Sequence, residues 1–188
     1  LLGLVIEAAT SDTYYKQVKH RFLKPLKLDT TTPSDRPNLP GLVAGYTSPD
    51  NPFGLPTKTV EGSGALVWNP LLEWTGGGMI STSTDLARWA KLLYEGKAMQ
   101  SDYLKELLQA IPINDSSDIR YGAGAVLQKT PLGDQWGHYG AVPGYASSMR
   151  YYSKHRVAIA FQVNTDRNAS DLINDMEQSL SNLLTNKN

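Results

Sequence analysis

His138 is the residue whose type and position most favour chemistry. Of the three His residues in the chain, it alone lies within a predicted strand, where Tyr139 and Gly140 follow it. An imidazole in such a place can donate a hydrogen bond or relay a proton. Taken alone, it would more often be a histidine that is hydrogen-bonded for packing. The segments around it decide between the two interpretations.

Other kinds of chemistry have little support in the sequence. The chain has no Cys, which excludes disulfides, thiolate catalysis and Cys-ligated zinc. His20 and His155 each stand between basic residues and are predicted at the surface. No spacing such as HExxH brings two His together, so we expect neither a metal site nor a cofactor. Lys plus Arg equals Asp plus Glu, 18 against 18, so no basic field indicates nucleic acid as a partner.

The elements that position His138 change from helical to strand periodicity along the chain. Helical spacing predicts helices over 1–9, 12–23, 84–95 and 102–110, with a long irregular segment over 30–74. Ser11 or Asp12 is the predicted cap of the second helix, and Lys24-Pro25 its predicted end. Alternation then predicts four strands, followed by a closing helix, over 121–128, 135–139, 146–152, 157–164 and 168–184. This order predicts an α+β fold, in which an antiparallel meander is covered by the C-terminal helix.

Four segments, in this order, resemble motifs of the serine hydrolases of the β-lactamase and penicillin-binding-protein type. Residues 1–7 (LLGLVIE) resemble the helix that follows the Tyr-x-Asn motif of that family, and residues 25–30 (PLKLDT) resemble its PLGMxDT turn. Residues 76–89 (GGGMISTSTDLARW) and 137–145 (GHYGAVPGY) are similar to two further signatures. Each segment alone would be weak, and the ordered set carries the resemblance.

The resemblance implies an active site between an all-α part and an α/β part. It assigns residues 1–115 to the helical region with its long irregular loop, and residues 116–188 to the strands and C-terminal helix of the α/β part. His138 would hold a substrate carboxylate or orient a proton relay, and the backbone N–H of Ala141 would be one donor of an oxyanion hole. Tyr139, Gly140 and Tyr145 are the expected substrate-binding residues, with Gly140 leaving room along the strand.

The family's nucleophile is absent from this sequence. No Ser is followed by Lys three residues on, and no Tyr-x-Asn occurs; both motifs would lie upstream of Leu1. Leu1 itself opens within an apolar stretch that has neither Met nor a helix cap, which predicts a fold truncated at its N-terminus. We therefore expect the C-terminal portion of a hydrolase that acts through an acyl-Ser intermediate. Its substrate would be an ester, a D-amino-acid amide, a peptidoglycan peptide or a β-lactam, and this chain alone would be inactive.

A non-catalytic binding or scaffold module with the same fold is the alternative, and the codons upstream of Leu1 would separate the two. The expected partners are a small-molecule or peptide substrate, together with either the missing N-terminal segment or a second copy, because part of the sheet would be left uncovered. No apolar run reaches the roughly 20 residues of a membrane span. A periplasmic or secreted location follows from the resemblance alone.

Overall fold

The computed structural model describes residues 1–114 and 118–185. The helices are α1 (Leu2–Thr10), α2 (Tyr14–Val18), α3 (Lys24–Leu26), α4 (Ser83–Tyr94), α5 (Ser101–Leu107) and α6 (Ala169–Thr185). The strands are β1 (Thr32–Pro33), β2 (Met79–Ile80), β3 (Ile111–Pro112), β4 (Ile119–Tyr121), β5 (Val126–Thr130), β6 (Gly133–Val142), β7 (Tyr145–Tyr152) and β8 (Val157–Val163). The expected α+β class is confirmed. The predicted boundary between residues 115 and 116 lies outside the described residues.

Six strands form the predicted meander, in the order β3-β4-β5-β6-β7-β8, and each neighbouring pair is antiparallel. The predicted single strand over 121–128 is wrong, because β4 ends at Tyr121 and β5 begins at Val126. Gly122 and Gly124 make a turn between them, and Gly124 has a φ of 85° that favours glycine. With β3, which the sequence did not indicate, the sheet therefore has two strands more than the four predicted.

Helices cover both faces of the central strands, because successive side chains of β7 point to opposite sides. Met149 and Tyr151 pack into a core with Ala90 and Leu93 of α4. On the other face, Tyr152 shares a hydrogen bond of 3.0 Å with Ser181 of α6. The sequence predicted the cover by α6 and did not predict that α4 covers the opposite face. The side chain of Leu184, predicted on the apolar side of the closing helix, lies outside the described residues.

The N-terminal helices differ from their predicted bounds. Thr13 caps α2 by accepting a hydrogen bond from the backbone of Lys16, whereas Ser11 adopts the left-handed conformation that ends α1. The helical path continues through a π-helix (Lys19–Leu23) into α3, so Lys24-Pro25 does not end it. Pro25 is tolerated there because it stands in the first turn of α3, where a missing N–H has the least effect.

The expectation that the first helix is buried is wrong for this chain. Leu2 is 74% exposed and Leu4 59%. The helix packs through its Gly3 side, where a Cβ would approach the ring of Trp74 to 2.7 Å. Its apolar side faces outward, because nothing among the described residues covers it.

The helix α4 begins one residue before its predicted start and is capped by Thr82, whose side chain accepts a hydrogen bond from Asp85 N–H. The predicted stop is confirmed, since Gly96 follows with a φ of 72°. None of the helices within 1–114 and 118–185 has the length and apolar character that a membrane span requires.

Candidate active-site edge of the sheet

The hairpin of β6 and β7 carries the candidate residues. Its two-residue turn is Pro143-Gly144, as the sequence predicted, and Gly144 has a φ of 79°. A side chain at Gly144 would also collide with Thr59, since an added Cβ would lie 2.5 Å from the Thr59 methyl carbon. Pro fixes the first turn residue and Gly permits the second, so this sequence forms a tight turn.

One edge of β6 is partly free. The pairing of β5 with β6 runs from Thr130 opposite Gly133 to Val126 opposite Gly137. Beyond Gly137, residues 138–142 continue to pair with β7 but, within the described part of the chain, meet no strand on the β5 side. We call residues 138–142 the open edge of β6. Backbone N–H and C=O groups on such an edge are free to bind an extended ligand.

Strand alternation sends the candidate residues to different faces of the sheet. His138 stands opposite Met149, which belongs to the core under α4. Tyr139 stands opposite Ser148, which is hydrogen-bonded to Glu177 of α6. The two side chains therefore lie on opposite faces of the sheet and cannot contact one ligand side by side. Only the backbone of the two residues lies together at the open edge.

The ring of His138 lies against the open edge. Its Nε2 is 3.0 Å from the hydroxyl of Tyr121, and its Nδ1 makes a short hydrogen bond with the carbonyl of Tyr139. The rings of Tyr121 and His138 meet edge to face, with centroids 5.7 Å apart. Both ring nitrogens thus have hydrogen-bond partners. The sequence indicated neither of these two contacts.

The side chain of Tyr139 is held on the α6 face by a buried ion pair. The guanidinium of Arg150 lies 3.6 Å from the centre of the Tyr139 ring, and Arg150 Nε is 3.2 Å from a carboxylate oxygen of Glu177. Arg150 is 2% exposed, and a buried cation of this kind needs such partners. Tyr139 also lines a cavity of about 310 Å³ between the hairpin and α6.

Gly140 and Ala141 contribute mainly backbone to the open edge. Gly140 pairs with Ser147, and an added Cβ would lie 2.5 Å from the Ser147 hydroxyl oxygen. The space beside Gly140 is therefore already shared with a polar group of the next strand. Ala141 pairs with Ala146 on β7, so two small side chains lie at the hairpin end of the open edge.

Tyr145 anchors the long loop. Its hydroxyl donates to the carbonyl of Val43 at 2.7 Å and accepts from the backbone N–H of Gly45 at 2.9 Å. The hydroxyl of Thr59, a fully buried residue, donates to the same oxygen at 3.1 Å. Tyr145 also lines the cavity that Tyr139 borders.

Asp166, which no sequence motif indicated, is a second anchor of the same loop. One carboxylate oxygen accepts from Ser48 N–H at 2.6 Å, and the other accepts from Gly144 N–H at 3.0 Å. The carboxylate thus joins the loop to the hairpin turn. An Asp two residues beyond a predicted strand end is a weak signal, because such residues are common in any turn.

Asp85 joins two of the family-like segments. Its carboxylate accepts hydrogen bonds from the backbone and hydroxyl of Thr30, at 2.8 and 2.7 Å, and from the hydroxyl of Thr31 at 3.1 Å. Burial alone would raise the pKa of Asp85, but these hydrogen bonds outweigh it and hold the pKa below its usual range. The start of α4 and the turn after α3 are therefore tied together.

No three His, Asp or Glu side chains of the described residues group as a metal site would require. The arrangement is instead a strand edge that has no partner strand among the described residues, an imidazole with two hydrogen-bond partners, and a loop that is hydrogen-bonded to the adjacent turn. Edges of this kind bind extended or acyl substrates and can stabilise developing negative charge through N–H groups.

The antiparallel meander with its C-terminal covering helix is the arrangement that the resemblance predicted. The Beta-lactamase family profile matches residues 1–181. The chain belongs to this family of serine hydrolases, and the resemblance seen in the sequence is confirmed.

Three relatives illustrate the match. Penicillin-binding protein 4* of Bacillus subtilis (strain 168) is 25% identical over 174 residues, which cover 88% of this chain and 38% of that protein. A D-stereospecific amidohydrolase from Streptomyces sp. is 30% identical with a TM-score of 0.74, over 87% of this chain and 47% of that one. The D-amino acid amidase from Ochrobactrum anthropi SV3 shares the fold, with a TM-score of 0.75 at 22% identity, over 99% of this chain and 57% of that one. The chain therefore spans from about two fifths to just over half the length of these relatives.

Proposed function

We propose that this chain is the C-terminal portion of a serine hydrolase that forms an acyl-Ser intermediate. The observation that carries the proposal is the open edge of β6, which presents His138 and the backbone of Ala141, in a chain of the Beta-lactamase family. The similarity to a D-stereospecific amidohydrolase favours the amide of a D-amino acid as the substrate. An ester, a peptidoglycan peptide or a β-lactam would react by the same chemistry.

The reaction needs a nucleophile that this sequence does not contain. A Ser hydroxyl from outside these residues would attack the carbonyl carbon, and its proton would pass to the leaving amine or alcohol. Water would then attack the acyl-Ser ester, which would release the acid and restore the hydroxyl. In both steps the carbonyl oxygen gains negative charge, and the N–H of Ala141 would stabilise it as one of two donors.

His138 would bind the substrate carboxylate or orient the proton relay. The backbone of Tyr139 and Gly140 would contact the substrate along the open edge, and Tyr145 would act by fixing the loop beside it. His in place of Lys at this position favours an esterase or peptidase over a β-lactamase.

The remaining proposals rest on the family alone. They are a periplasmic or secreted location, and a division of the parent fold into a helical region and an α/β part near residue 115.

Labelling of two proteins tests the proposal. One is this chain, and the other is the chain extended by the codons that precede Leu1 in its gene. Both are treated with a fluorescent fluorophosphonate and a fluorescent penicillin and assayed on D-phenylalanine amide and nitrocefin. We expect labelling of a single Ser and turnover in the extended protein, and neither above background in the isolated chain.

Two further measurements sharpen the test. In the extended protein, His138→Ala should lower kcat/KM on D-phenylalanine amide, whereas the control His20→Ala, at an exposed position on the π-helix, should leave it unchanged. Stoichiometric acylation of a Ser within the isolated chain would overturn the proposal. An extended protein without Ser-x-x-Lys would instead support the non-catalytic binding module.

A further inference from the structure

Tyr121 is the side chain that contacts Nε2 of the His138 ring. The two residues are 17 positions apart in sequence, and the Tyr121 hydroxyl lies 3.0 Å from Nε2 of the imidazole. Tyr121 is 43% exposed. The contact therefore lies where a ligand at the open edge could reach it.

The position of Tyr121 is fixed by the turn that follows it. A Cβ on Gly122 would lie 2.3 Å from the carbonyl oxygen of Leu107, so the backbone there is pressed against the end of α5. Ala123 N–H donates to that same carbonyl at 3.3 Å, and Gly122 N–H donates to the carbonyl of Ala125 at 2.8 Å. These contacts fix the backbone that directly follows Tyr121, and they thereby restrict where the Tyr121 side chain can lie.

The hydrogen bonds of the ring determine which nitrogen carries the proton. The carbonyl of Tyr139 can only accept, so Nδ1 must be the donor in that contact. In the neutral imidazole Nε2 is then bare and acts as an acceptor. A hydroxyl can donate to it, and Tyr121 supplies that hydroxyl.

We infer that Tyr121 is a positioning residue, which donates to the bare Nε2 of the Nδ1-protonated tautomer of His138 and fixes the plane of its ring. In this tautomer His138 offers no N–H to a substrate carboxylate, so of its two proposed roles the proton relay is the one that fits, with the hydroxyl of Tyr121 as the exposed group of the pair. The relevance to catalysis rests on the proposed hydrolase, whereas the tautomer is a property of this chain itself.

Nitrogen NMR of the folded chain tests the inference. The three His residues are labelled with ¹⁵N, and long-range proton–nitrogen spectra are recorded about two units above the ordinary histidine pKa of ~6.5. Protonated and bare ring nitrogens give well-separated signals. We expect the wild-type spectrum to show a bare Nε2 for His138. Tyr121→Phe removes the hydrogen bond to Nε2 and should shift the Nε2 signal of His138, while Nδ1 stays protonated against the carbonyl of Tyr139.

The control variant is Tyr103→Phe, which removes a hydroxyl from a tyrosine that is 60% exposed on α5. It should leave the His138 signals in place. A protonated Nε2 in the wild type would overturn the inference without any variant, and so would an unchanged spectrum in Tyr121→Phe. Failure of the hydrolase proposal would appear only in the labelling assay and would leave these signals unaffected.

Discussion

The hydroxyl of Tyr145 donates a hydrogen bond to the carbonyl of Val43, 2.7 Å away across 102 positions of sequence. The same hydroxyl accepts from Gly45 N–H at 2.9 Å. A residue at the tip of the hairpin therefore determines where the long loop begins its path along the sheet.

Removal of that hydroxyl should loosen the loop without unfolding the sheet. In Tyr145→Phe the loop loses an acceptor and a donor, which should lower its local opening free energy by about 1 kcal/mol. Gly45 keeps its second acceptor, the hydroxyl of Thr59, so the change should be modest. Amide hydrogen exchange at Gly45 should become roughly fivefold faster. Tyr46→Phe, a matched change on the same loop, should leave it unchanged, and equal rates in both variants would refute the anchoring role.

Replacement of Asp85 should have a larger effect, on global stability. Asp85→Ala leaves the backbone N–H and hydroxyl of Thr30 without their acceptor. Asp85 is buried, and loss of its hydrogen bonds to Thr30 and Thr31 should lower the free energy of unfolding by about 2 kcal/mol, so the urea midpoint should fall. The matched control is Asp102→Ala, which also lies in the first helical turn, of α5, but with its side chain 85% exposed. A loss of stability equal to that of the control would mean that Asp85 does not tie α4 to the preceding turn.

Glu95 should make stability depend on acid pH. Hydrogen bonds and charge from Lys91 and Arg156 lower the pKa of Glu95 from 4.5 to about 2. A depressed folded-state pKa contributes stability that is fully present above 4.5 and is lost as pH falls towards 2. Unfolding by urea at several pH values should show this decline in the wild type.

The matching variant is Glu95→Gln, in which the decline between pH 4.5 and 2 should be smaller. Glu106→Gln, a change at an exposed position of α5, should retain the wild-type slope. Equal slopes in all three proteins would show that the ion pairs of Glu95 do not link α4 to the turn after β7.

The sequence predicted the meander because alternation and turn residues are local signals. It failed over 121–128, where apolar and small residues continue the alternation through the Gly122–Gly124 turn and conceal it. That error also concealed the Tyr121–His138 contact, since a single strand there would have placed Tyr121 elsewhere. Distinguishing the two required the tertiary contact of Gly122 with the carbonyl of Leu107.

The family-like segments were recognised separately, but their contacts could not be read from the sequence. Asp85 and Thr30 are 55 residues apart, and no periodicity relates two groups at such a distance. The candidate residues His138 and Ala141 were found because their motif is contiguous. The partners Tyr121 and Asp166 were missed because they come from other elements, and only the folded chain brings them to the hairpin.

The outer edge of β8 and the outer face of α6 have no covering partner among the described residues. The outer edge of β8 pairs with no strand among the described residues, and its sequence, VAIAFQV, has none of the charged or Pro residues that protect an edge. Leu172 and Met176 of α6 are each 41% exposed. Covering apolar surface contributes about 2.5 kcal/mol per ~100 Å², so the chain should associate with a second copy or with the segment that precedes it in the parent protein.

Sedimentation velocity over a concentration series, with mass spectrometry of co-purifying chains, measures this association directly. The sedimentation coefficient should rise with concentration in the wild type. The double variant Leu172→Lys, Met176→Lys should weaken the rise, because it places two charges on the apolar stripe of α6. The control pair Gln178→Lys, Asn182→Lys adds the same charge at exposed positions of α6 and should not weaken it. A cooperative monomer that binds no hydrophobic dye at any concentration would contradict the prediction, and would show that these residues fold as a self-sufficient domain.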